Sequence, residues 1–89
     1  MKEMDDNRTP AEADTATETA VLGRLLDLHP VLVTIDELVR EIAVDAGDFA
    51  ARDAVERAVQ DLAAAGLLHR NGDLVLPSRA ALRLDELLS

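Results

Sequence analysis

Five arginines, Arg52, Arg57, Arg70, Arg79 and Arg83, fall between residues 48 and 83. A guanidinium stays charged at any physiological pH and presents a planar fork of N–H donors that matches phosphate and carboxylate oxygens. The chemistry open to these residues is therefore contact with an anion. Five acids, Asp48, Asp53, Glu56, Asp61 and Asp73, share the same stretch and bring it to neutrality. The rest of the chain is acidic: residues 1–17 hold five acids against two bases, and residues 18–47 hold six against two. Over all 89 residues the formal charge is -9. That charge opposes non-specific binding to nucleic acid, and the neutral stretch is the part least repelled by phosphate.

Other chemistries lack their residues. There is no cysteine, so disulfides and thiolate metal sites are excluded, and a cytoplasmic location is expected. His29 and His69 are far apart, and neither has a second ligand at helical spacing, so no metal is expected. There is no Gly-rich phosphate loop and no nucleophile elbow. Thr15, Thr34 and Ser78 are each accounted for as helix caps. No catalytic residue and no cofactor is expected, and the chain does not read as an enzyme. No apolar run approaches the roughly 20 residues of a membrane span, and the polar N-terminus does not read as a signal peptide.

The elements that must position the arginines follow from pattern and punctuation. Residues 1–17 read as a disordered acidic tail, and residues 18–89 as one domain. Thr15 with Glu18 suggests a capping box, so the first helix should start near Thr15 or Thr17 and run to Leu28. Its stripe is Val21, Leu22, Leu25 and Leu26, and Pro30 stops it. Val31-Leu32-Val33 is a short strand at the edge of a sheet, or an extended linker. Thr34 to Glu37 is a second capping box, opening a helix to about Val44 that buries Ile35, Leu38, Val39 and Ile42. Asp36 and Glu37 then sit where the helix dipole favours negative charge. Asp45–Asp48 is a turn, with Gly47 left-handed and Asp48 a cap. A third helix runs from Phe49 to Ala65, buries Val55, Ala58, Val59, Leu62 and Ala63, and stops at Gly66. Leu67–Arg70 and Asp73–Leu76 pair around Asn71-Gly72, a strong two-residue hairpin signal. Arg70 and Asp73 would then face each other as a cross-strand ion pair. Ser78 caps a fourth helix, Arg79 to Leu88.

The order helix, short strand, helix, helix, hairpin, helix is that of a winged helix-turn-helix, a mainly helical α+β fold. Three stretches carry the resemblance. Thr34-Ile35-Asp36-Glu37-Leu38 resembles the opening of the second helix of small bacterial MarR-like transcription regulators. Val55 to Leu62 followed by Ala65-Gly66-Leu67-Leu68 resembles their recognition helix and its exit into the wing. Leu74 to Ser78 resembles the second wing strand leading into a final helix. In such proteins the recognition helix enters the major groove of double-stranded DNA. The resemblance therefore implies a small DNA-binding transcription regulator, with Arg52, Arg57, Gln60, His69, Arg70 and Arg79 as contacts. Asp53 and Glu56 depart from that pattern, because a groove-facing carboxylate is repelled by the backbone except opposite a cytosine amino group. Arg52–Glu56 and Arg57–Asp61 have the spacing of i,i+4 ion pairs.

One helical stripe cannot bury Leu82, Leu84, Leu87 and Leu88 together. Either Leu82 points into the core beside the first helix, or the fourth helix shows an apolar face to a partner, as a homodimer or partner interface formed with the first helix. The alternative to a DNA-binding regulator is a winged-helix protein-interaction module, with a protein partner on the acidic face of the first two helices or on the fourth helix.

Overall fold

A computed structural model describes residues 10–42 and 49–89. The elements run α1 (Pro10–Leu28), β1 (Val33–Thr34), α2 (Ile35–Ile42), α3 (Phe49–Ala64), β2 (Leu68–Asn71), β3 (Leu74–Pro77) and α4 (Arg79–Leu88). The fold is mainly helical, with one small antiparallel sheet ordered β1-β3-β2. The turn expected at Asp45–Asp48, and the end of the second helix near Val44, lie outside the described residues.

α1 is already helical at Pro10, the first described residue, so it does not start at Thr15 or Thr17. Thr15 is therefore inside the helix, and no Thr15–Glu18 capping box starts it. The threonines do not break the helix because their hydroxyls find acceptors one turn back. Thr17 Oγ1 donates to Ala13 O at 3.1 Å and Thr19 Oγ1 to Thr15 O at 2.9 Å.

The capping box of α2 is closed in both directions. The Thr34 backbone N–H donates to Glu37 Oε1 at 2.8 Å, and the Glu37 N–H donates to Thr34 Oγ1 at 3.1 Å. α3 ends in a Schellman motif. Gly66 has φ 84°, its N–H donates to Ala63 O at 3.1 Å, and the Leu67 N–H donates to Leu62 O at 2.9 Å. Ser78 caps α4, its side chain accepting from the Ala81 N–H at 3.1 Å.

The hairpin register differs from expectation. Asn71 pairs with Leu74 and Arg70 with Val75, so the two-residue loop is Gly72-Asp73 rather than Asn71-Gly72. Only Gly72 has positive φ, at 62°. A type I′ turn needs positive φ at both loop positions; a glycine at the first alone fits type II′. The strands shift with it, and Asp73 is in the loop, not opposite Arg70. Val33 and Thr34 form β1 against Val75 and Leu74 of β3, while Val31 and Leu32 stay exposed outside the sheet.

The core is one cluster. Val21 and Leu25 of α1, Ile35, Leu38 and Val39 of α2, and Val55, Ala58, Val59 and Leu62 of α3 close on Val33, Leu68 and Val75 of the sheet. Leu22, Ile42 and Ala63 pack on its margin. Burying such a side chain fully stabilises by about 1.5–3 kcal/mol, so aliphatic burial rather than surface charge holds the helices on the sheet. Of α4 only Ala81 is buried and Leu82 half-buried. Leu84, Leu87 and Leu88 remain 49%, 64% and 77% exposed. The fourth helix thus keeps an apolar face in solvent.

Candidate nucleic-acid interface

With Val55, Ala58, Val59 and Leu62 turned inward, α3 presents Arg52, Asp53, Glu56, Arg57 and Gln60 to solvent. The hairpin loop is fastened beside the start of α2, where the Ile35 N–H donates to Asp73 O at 2.9 Å. Asp36 is the next residue along. It accepts from Arg52 Nη2 at 2.6 Å, which joins the first turn of α2 to the N-terminal part of α3. Arg52, Asp36 and the hairpin loop therefore share one corner of the molecule.

Each arginine on α3 has an anion beside it. Arg52 Nε also lies 3.7 Å from Glu56 Oε2, the i,i+4 pair its spacing suggests. Arg57 reaches Asp14 of α1 at 3.5 Å, not Asp61 on its own helix. The extra turns at the start of α1 bring that carboxylate within range. The hydrogen bond from Arg52 and then its charge hold the Asp36 carboxyl below its ordinary range. The same bond and the Asp36 charge raise the already high pKa of Arg52, with smaller help from Glu56 and Asp73.

The other expected contacts are spread over the hairpin. Arg70 Nε donates to Gly72 O at 2.9 Å, so it braces its own turn instead of pairing with Asp73. His69 is exposed on β2, opposite Leu76. Arg79 and Arg83 stand on α4, which leaves from the open end of the hairpin, away from the corner that holds Arg52. Arg83 pairs with Glu86 at 3.0 Å. The structure thus gathers Arg52 with the hairpin loop, leaves Arg57 and Gln60 further along α3, and sets Arg79 apart. Sequence reasoning gave Asp36 only a dipole role. Its contact joins residues 16 apart on two helices, and no local spacing signals it.

The face of α1 and α2 carries the Arg24–Glu41 pair at 3.1 Å. Beside it runs a groove lined by Leu28, Val31, Leu32 and Leu38, with Arg40 at its edge. Among the described residues no helix is long and apolar enough to cross a membrane. The chain matches no known protein family, no curated protein and no solved structure.

Proposed function

We propose that this protein is a winged helix-turn-helix regulator that binds double-stranded DNA through α3 and its hairpin. The observation that supports this is the order α1-β1-α2-α3-β2-β3-α4 with β3 central in the sheet, together with the corner that Arg52 of α3 shares with the hairpin loop, as a recognition helix and wing would require. In this reading Arg57 and Gln60 meet base edges, and Arg52 and Arg70 meet phosphate. In this reading it is similar to the small bacterial MarR-like regulators. Two copies paired through α4 and α1 would set two α3 helices against adjacent half-sites.

The test is binding to a labelled mixed-sequence duplex at low salt, about 50 mM, where phosphate contacts are strongest. Wild-type protein should bind, and affinity should fall steeply with added salt. Arg57→Glu should abolish detectable binding while leaving the fold intact, since its side chain is 59% exposed. No binding by wild-type protein under these conditions would sink the proposal.

A second reading is favoured by the exposed Leu84, Leu87 and Leu88 on α4. They suit a winged helix used as a protein-interaction module without DNA. A protein that stays monomeric and ignores duplex DNA, yet loses a protein partner on Leu87→Glu, would fit that reading instead.

A further inference from the structure

We propose that Asp36, aided by Glu56 and Asp14, is a built-in competitor for the arginines of α3, and that Asp36 above all sets how tightly this face holds a polyanion. The inference rests on α3 being the nucleic-acid face.

Three distances motivate it. Asp36 Oδ1 lies 2.6 Å from Arg52 Nη2, Glu56 Oε2 lies 3.7 Å from Arg52 Nε, and Asp14 Oδ1 lies 3.5 Å from Arg57 Nη2. A carboxylate and a phosphate use the same guanidinium N–H groups in the same way. A phosphate reaching Arg52 must therefore displace Asp36 or share the guanidinium with it. Access is not the obstacle, because the Arg52 and Asp36 side chains are 44% and 59% exposed.

Position makes Asp36 the strongest of the three. It belongs to the first turn of α2, where the helix dipole favours a negative charge. Its contact is the shortest. Its carboxyl is held below the ordinary aspartate range by Arg52, so it stays ionised at neutral and mildly acidic pH. The competitor is thus permanent in ordinary buffers. Salt does not simply free Arg52 for DNA, because screening weakens the internal and the external contact together. The wild-type salt dependence should accordingly be shallower than the number of arginines on the face suggests.

The experiment measures fluorescence anisotropy of a labelled mixed-sequence duplex against salt for wild type, Asp36→Asn and Glu56→Gln, with Asp27→Asn as control. Asp27 is exposed on α1, near Glu41 and Ile42 of α2, and Asp27→Asn makes the same change in net charge. Asp36→Asn should tighten binding about fivefold and steepen the log–log salt slope by about 0.9, the increment for one more phosphate neutralised. Glu56→Gln should act in the same direction but more weakly, and Asp27→Asn should change affinity less than about twofold. Thermal melts confirm that each variant folds. If Asp36→Asn and Glu56→Gln bind no better than Asp27→Asn while wild type binds DNA, the competitor is refuted and the DNA reading stands. If only Asp36→Asn binds detectably, the competitor is supported and the reading of the wild-type protein as a DNA binder falls. If no variant binds at low salt, both fall.

Discussion

Gly66 and Gly23 show how one residue type does opposite things at two places. Gly66 has φ 84°, a conformation that costs an L-residue roughly 1–2 kcal/mol. Gly23 lies inside α1, exposed, where glycine is looser than alanine in the unfolded chain. A Cβ at either position meets nothing within 4 Å, so sterics beyond the backbone do not enter. Gly66→Ala should therefore destabilise by about 1–2 kcal/mol, and Gly23→Ala should stabilise by about 0.4–1 kcal/mol. Urea denaturation of the two variants checks this directly. Two changes of the same sign would show that backbone conformation is not what sets these positions.

The elements were legible where a side chain closes a short local circuit. Thr34 and Glu37 bond reciprocally over three residues, Gly66 turns the chain on two backbone bonds, and Ser78 caps α4 over three residues. Such circuits leave a signature in the sequence because both partners sit within one turn. The start of α1 left no such signature. Residues 10–17 are helical but carry no apolar stripe, and the Thr17 hydroxyl bonds back to the Ala13 carbonyl within them. The hairpin turn was placed one residue early because Asn-Gly and Gly-Asp are both turn pairs, and only the strand register chooses between them. The Arg52–Asp36 contact needed the packing of α2 on α3 and could not be read at all. The strongest local circuit gives a prediction at this scale. Thr34→Ala removes the side-chain acceptor for the Glu37 N–H and should cost about 1 kcal/mol. Because Thr34 also ends β1, hydrogen exchange should quicken in both α2 and the β1–β3 pairing. Faster exchange confined to α2 would mean that cap and strand are not one unit.

At the scale of the whole molecule, the unsettled surface is the apolar face of α4. Leu84, Leu87 and Leu88 are exposed although the rest of the core is closed around α1, α3 and the sheet. Exposed leucines in a row on one helix are poor at keeping a protein monomeric. α4 has 10 residues, whereas a stable interface draws on about 20–30 residues and about 800 Å² from each partner. Two α4 helices alone are too small for that, so a dimer must also recruit α1, the longest helix, with exposed residues along its length. A two-fold pairing would bury the leucines symmetrically and repeat α3 on a single surface. Light scattering at about 100 μM, well above the dissociation constant of an interface of that size, should give twice the chain mass for wild type. The double variant Leu84→Glu/Leu87→Glu should give the single-chain mass and still unfold cooperatively, since neither side chain belongs to the folded core, with its melting temperature lowered by the loss of the dimer contact alone. A wild-type monomer at that concentration would remove the homodimer and leave the leucines to a different protein. A dimer that survives both substitutions would place the interface elsewhere on the molecule.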